Sequence, residues 1–388
     1  MSERSTVSSG QGRAVWQDAL HAWVLTGLDE CTFVCSREDL FATEHSDFAD
    51  GPVIRGRRSV ALLDGEDHRR VHALLSSFLA PSRVAAMRGG VIRPVIVRQV
   101  DALAGGDGAA ELAEDFADRI PGRIIAGLLG LPMDDEELIR RYDRWSLALT
   151  PWVQTRGEDE IARAAAASAA REMTAALRPF VLERRTHPRD DLVSLLWRVG
   201  PSLLAGWSEE DVLDQCRILF LAGGEGVAQL VCTVLYLVLT VGSLRRAVDR
   251  DRASLPRLVE EALRRYPPAQ LRPRRATQEV ELDGAVIRRG DVVYPHVQQA
   301  NLDPSRFSRP RALDLDRPNP TRHLAFNVGP RHCAGAALSR AVAFEAVDAL
   351  LGRLPGIRLR PDADPPALVG FRFKGFRPLH VLLSSGDA

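Results

Sequence analysis

Lysine is all but missing from this chain. Lys374 is the only one among 51 Lys and Arg, and those cations are matched by 51 Asp and Glu, for a formal net charge of zero. A neutral chain has no electrostatic footprint for a polyanion, so a nucleic-acid partner is not expected. Cysteine is almost as scarce: Cys31, Cys35, Cys216, Cys232 and Cys333 are the five in 388 residues. An odd handful without regular spacing excludes a disulfide framework and points to a reducing cytoplasm. Cys31 and Cys35 lack companion ligands at zinc-site spacing. With Thr32, Phe33 and Val34 between them, they read as a short strand. Residues 1–13 are polar, rich in Ser and Gly, and expected to be disordered. They have the pattern of neither a signal peptide nor a membrane anchor. Only residues 218–241 are apolar over a membrane's width. Glu225, Gln229 and three glycines interrupt them, which predicts a buried central helix and no membrane partner.

Apolar residues make up 45% of the chain, enough for a large core. Helical patterns run through 81–104, 109–127, 134–149 and 158–185. Pro81 suits a first turn, and Pro94 is expected to kink or split the first of these helices. Residues 36–41 read as a capped helix start. Ser208, followed by Glu209, Glu210 and Asp211, begins the central helix. Short strands are expected at 279–282, 285–287 and 292–294, and again near 357–360 and 380–383. Residues 310–320 are irregular and rich in proline. The fold class this predicts is mainly α with small β-sheets.

The chemistry concentrates around Cys333. Phe326, Asn327, Val328, Gly329, Pro330, Arg331, His332, Cys333, Ala334 and Gly335 run straight into the helix-forming Ala336, Ala337, Leu338 and Ser339. A cysteine in such a turn can be held as a thiolate by amide N–H groups and by the positive end of the following helix. Gly329 and Gly335 let backbone approach a flat partner closely. Arg331 could pair with an anionic group on that partner. A buried cysteine with no such role is the plainer alternative. Earlier in the chain, Glu261 and Arg264 lie on one helical face and can form a bidentate pair. His68 and His72 also share a face. That spacing can bind zinc, but no third ligand is evident.

Together these stretches resemble the cytochrome P-450 superfamily. The Cys333 loop matches the family's Phe, Gly, any, Gly, any, His or Arg, any, Cys, any, Gly, with Asn327 standing for the first Gly. Glu261 and Arg264 match its Glu, any, any, Arg. Ala300, Asn301, Leu302, Asp303 and Pro304 resemble another family segment. The resemblance covers about 30–385 and implies one domain over 1–388 with the cytochrome P-450 fold, holding haem b.

By that resemblance Cys333 is the axial ligand, in a loop containing Phe326 and Gly335. His68, Arg274, Arg331 and, less closely matched, His72 are expected at the propionates. His72 stands where the family has Arg, and neutral imidazole carries no fixed charge. A thiolate ligand favours O–O cleavage. The Glu261–Arg264 pair is expected to be completed by a later cation, with Arg317 the candidate. Only fifteen residues separate Phe48 from Asp64, so the helix covering the pocket is expected to be shortened or absent and the pocket more open. Residues 147–157 are expected near a substrate lid. The substrate class implied is a small natural-product intermediate. Electrons are expected from a separate ferredoxin and ferredoxin reductase.

One departure bears on mechanism. On the central helix, Ala222, Gly223 and Glu225 match the family's acid-and-alcohol turn, but Gly226 replaces the threonine and Val227 the second hydroxyl residue. Proton delivery is geometric before anything else, and neither residue has a side-chain donor. Three explanations stand: the substrate brings the missing group, the enzyme performs chemistry that does not cleave dioxygen reductively, or coupling is poor. Glu225 itself could equally be a satisfied structural acid. A haem-binding sensor without turnover is a further alternative.

Overall fold

Nine residues, Leu28–Ser36, form a helix where a strand is expected, and the reason is legible in their burial. Cys31, Val34 and Cys35 are the buried ones, spaced three and four apart on one face. Asp29 and Glu30 lie in the first turn, where the helix dipole favours them. The β-propensity of Thr32, Phe33 and Val34 loses to that periodicity. The expected helix start at 36–41 is corrected too: the segment turns into a strand, Phe41–Thr43.

This computed structural model describes residues 13–43, 51–155 and 158–384. The chain divides into two compact units. The first comprises the described parts of 1–45 and 260–333. Its five-stranded sheet runs in the order Ala14–Gln17, Ala22–Leu25, Val292–Pro295, Arg274–Ala276, Phe41–Thr43. Ala22–Leu25 pairs parallel to Val292–Pro295, with Trp23 opposite Val293. The neighbouring pairs are antiparallel. Leu25, Cys31, Val34, Phe41, Ile287, Val293 and Val297 are buried in its core. The expected pair at 280–282 and 285–287 is present as an antiparallel ribbon. Arg13 is placed, its guanidinium 3.2 Å from Asp303; the rest of the tail expected to be disordered lies outside the described residues.

The second unit, the described parts of 46–259 and 334–388, is mostly helical. Its longest helix, Glu209–Thr240, begins at a capping box in which the Ser208 amide donates to Asp211 at 2.7 Å. It is long and apolar enough to cross a membrane, yet 72% of its most apolar stretch is buried inside the protein. Burial on all sides is what a core helix with an all-round apolar sequence requires. Among the described residues further long helices accompany it, including Gly65–Phe78, Arg93–Ala104, Glu136–Gln154, Glu160–Thr186, Leu192–Leu203 and Ala336–Arg353. A π-turn at Arg88–Ile92 separates Pro81–Met87 from Arg93–Ala104, so the break expected at Pro94 falls just before it.

One helical expectation fails at its start. Ala109–Glu111 is a strand, held between Gly108 and the next helix by pairing with His380–Leu382. The short Gly51–Arg55 helix is all that stands at the expected covering element among the described residues. Residues 44–50, and 156–157 of the expected lid, lie outside them.

Candidate functional site

In the first unit, Glu261 and Arg264 are both buried and joined by two bonds, of 2.8 and 3.0 Å. Arg317 completes the group, donating Nε–H to Glu261 Oε1 at 2.8 Å. The remaining guanidinium donors reach backbone carbonyls: Arg264 those of Asn301, Pro310 and Ala312, Arg317 those of Ser308 and Ala312. The Asp314 amide donates to Glu261 at 2.9 Å. Burial alone would raise the Glu261 carboxyl, but these donors outweigh it and hold it below the usual range. The irregular stretch at 310–320 is thus pinned to one carboxylate.

Arg272 and Arg274 in the same unit are treated differently. Burial lowers both guanidinium pKa values, and each also suffers from a neighbouring cation. Arg274 is buried on the strand Arg274–Ala276, and its guanidinium donates to the carbonyl of Pro273 at 3.0 Å. Arg272 donates to the carbonyl of Ala325, the residue before Phe326. The Nε atoms of both have no hydrogen-bond partner among the described residues. Cys333 is among the charges that favour the cationic form of Arg272.

The Cys333 loop explains its own departure from the family pattern. Asn327 has φ +62°, a left-handed conformation that glycine adopts freely and asparagine tolerates better than most residues. Its side-chain amide donates to the carbonyl of Arg331 at 3.0 Å, across the turn. Gly329, at φ +68°, sits so close to Ser36 that a Cβ would come within 2.8 Å of its Cα. The Cys333 amide donates to the Phe326 carbonyl at 2.7 Å, closing the loop. Phe326 is buried. The guanidinium of Arg331 is engaged by Glu38, Nε to Oε1 2.7 Å, a partner 293 residues away along the chain that no motif announces. Cys333 is partly exposed, whereas the other four cysteines are buried. Burial raises the pKa of all four, Cys216 to about 12, which leaves them poor thiolates.

In the second unit, His68 and His72 lie on the Gly65–Phe78 helix, their rings 5.2 Å apart. His68 is buried, and His72 Nδ1 is 3.4 Å from Ser76 Oγ. No group of three metal-ligating side chains occurs among the described residues, so the zinc alternative gains nothing. Gly335 is the N-cap of the Ala336–Arg353 helix.

On the central helix, Glu225 and Val227 are buried. Glu225 Oε1 accepts from Gln154 Nε2 at 2.8 Å and from Gln229 Nε2 at 3.0 Å. Gln229 Oε1 in turn accepts from Arg377, whose guanidinium is held by Asp118. A Cβ at Gly226 would lie 3.5 Å from the ring of Phe373, ordinary contact. Gln154, Gln229 and Phe373 are far from Glu225 in sequence or carry no motif, and sequence reasoning missed all three. Gln229 alone, one helical turn on, could have been found from spacing. A separate cavity of about 300 Å³, lined by residues including Val91, Arg98, Arg123 and Leu131, contains none of the predicted site residues.

The family described as Cytochrome P450 matches residues 206–354. Mycinamicin IV hydroxylase/epoxidase of Micromonospora griseorubida is 31% identical over 87% of this chain and 83% of that protein. The 6-deoxyerythronolide B hydroxylase of Saccharopolyspora erythraea is 30% identical over 93% and 89%. Among solved structures, HmtN, a post-tailoring hydroxylase of himastatin biosynthesis, superposes with a TM-score of 0.82 at 24% identity, covering 97% of this chain and 95% of that one, which is likeness of fold. The chain belongs to the cytochrome P450 family, and it is similar to monooxygenases and hydroxylases of that family. Membership implies a haem.

Proposed function

We propose that this chain is a haem-thiolate monooxygenase that tailors a small natural-product intermediate. Two features support it: the hydroxylases it resembles over most of their length, named for mycinamicin IV and 6-deoxyerythronolide B, and the donors in the unit that carries Cys333. The observation that carries the reading is the pair of orphaned Nε atoms on Arg272 and Arg274, in the same unit as the partly exposed thiol. Buried guanidiniums without an anion are costly. A group presenting a metal to Cys333 and carboxylates to two arginines fits what these residues lack.

Cys333 would be the thiolate that holds the haem iron, and Arg272 and Arg274 would hold its carboxylates. His68 and His72 are the proposed further contacts. Arg331 is a weaker anchor than the motif implies, because Glu38 already engages it. When bound, a haem supplies the redox-active iron at which dioxygen is activated. The chain's own part is to orient substrate and move protons. Glu225 is the one acid on its turn, and Gly226 and Val227 offer no hydroxyl beside it. A hydroxyl or amine of the substrate, or water, would complete the relay. The aromatic ring of Phe373 beside Gly226 makes that wall apolar.

Electrons would come from a ferredoxin and its reductase in the cytoplasm. A second reading is favoured by the two amides on Glu225 Oε1, which hold that carboxylate as a structural group would be held: chemistry without reductive dioxygen cleavage, such as oxidative coupling, isomerisation or dehydration. The test is product formation from a candidate substrate. Strict dependence on NAD(P)H, redox proteins and oxygen is the expected result; anaerobic product without reductant overturns the monooxygenase reading. Gly226→Thr sharpens it, since improved turnover would rule out the second reading.

A further inference from the structure

Gln154, the last residue of the Glu136–Gln154 helix, has no motif and no assigned role, yet its amide is completely used. Nε2 donates to Glu225 Oε1 and to the Phe373 carbonyl, each at 2.8 Å. Oε1 accepts the backbone amides of Phe371 at 3.0 Å and Arg372 at 3.2 Å. Two donors and two acceptor positions are all that a glutamine amide has. They join three segments distant in sequence: the end of one helix, the turn at 370–373 and the carboxylate of the central helix.

The turn is built for this attachment. Gly370 has φ +108°, and a Cβ there would overlap the carbonyl of Phe373. The strands on either side, Ala367–Val369 and Gly375–Arg377, pair antiparallel. A Cβ on Gly375 would overlap Gln229 Oε1. The second donor to Glu225 therefore also lies against this hairpin. Arg377 and Asp118 close the far side through Gln229.

We propose that Gln154 is a positioning residue that couples the 370–373 turn to the orientation of Glu225. A shift of the turn pulls on the amide that donates to the carboxylate, and movement of Glu225 takes away one of the four bonds that fix the Gln154 amide against the turn. A ligand that displaces the turn thereby reorients the acid. That Glu225 moves protons rests on the function proposed above. The coupling does not, and it is measurable without turnover.

The experiment is amide hydrogen exchange of the holoenzyme at Phe371 and Arg372. Gln154→Ala is expected to speed exchange roughly tenfold, the effect of losing a hydrogen bond or two. Glu225→Ala is expected to do so too, although Glu225 bonds neither amide. The double variant should be no faster than the faster single one, since both break one linkage. Gln154→Glu keeps acceptors for the two amides but sets a second carboxylate against Glu225, and should also release the turn. Adding Glu225→Gln restores a donor–acceptor pair with its direction reversed and should return exchange to within roughly threefold of the parent, the scale on which a net hydrogen bond matters. Exchange of the Glu209–Thr240 amides in the same samples reports folding, and Gln154→Met replaces the alanine variant if that protection falls. Unchanged exchange in Glu225→Ala, multiplying effects in the double variant, or no recovery in the swapped pair would each overturn the proposal.

Discussion

Two pairs of arginines in one unit, Arg264 with Arg317 and Arg272 with Arg274, all with buried donors but Arg272 only half-buried as a residue, show how differently a fold can treat the same side chain. Arg264 and Arg317 converge on Glu261, and their remaining donors find carbonyls. Among the described residues no carboxylate bonds Arg272 or Arg274, and the Nε of each has no partner. Desolvating a guanidinium is tolerable only when its donors and its charge are met. The first pair meets that condition within the chain, so it is architecture. The second does not, so its partner is expected from outside. The contrast separates structural from binding cations without reference to any motif.

The largest effect that sharpens this contrast is at Glu261. Glu261→Ala strands two buried cations and is expected to cost about 3–5 kcal/mol, as breaking a buried pair does; chemical denaturation measures it. The same carboxylate gives a pH signature. Its folded pKa lies below the unfolded value. Its contribution is therefore fully present above the unfolded pKa, about 4.3, and lost as pH falls through the folded value. Glu261→Gln should flatten that acid slope; an unchanged slope would assign it to other carboxylates.

At Arg272 and Arg274 the expected outcome is reversed in kind. Alanine at either position should lower haem retention tenfold or more. It should change apoprotein stability by less than about 1 kcal/mol, because a poorly satisfied buried charge is removed along with its packing. If either variant unfolds the apoprotein as Glu261→Ala does, the contrast between the pairs is false.

The smallest effect tests the loop itself. Asn327→Ala should cost about 1–2 kcal/mol for forcing alanine into the left-handed region, while Asn327→Gly should stay within about 1 kcal/mol, losing only one side-chain bond. Thermal unfolding separates the two, and equal losses would place the effect in the hydrogen bond to Arg331 instead.

Much of this was readable from residues alone. Gly329, Cys333 and Gly335, and the Glu261–Arg264 spacing, named a family because the backbone at a close approach and a bidentate pair admit few residue types. Arg317 was reachable as the third member of the buried group. The central helix followed from capping and apolar length, since Ser208 and Asp211 are neighbours in the chain. Local rules failed where two signals competed within a few residues. The Leu28–Ser36 helix and the Ala109–Glu111 strand were both decided by packing, which overrides propensity in short segments.

What the sequence by itself determined is therefore the family, the thiol and the pattern of helices, each written in contacts a few residues apart or in a motif with fixed spacing. Only the tertiary structure decided that Glu38 engages Arg331, that the Nε atoms of Arg272 and Arg274 lack a partner among the described residues, and that Gln154 binds Glu225 together with the 370–373 turn. Those partners lie far apart along the chain. A hydrogen bond depends on distance and angle in space, and sequence separation carries no record of either.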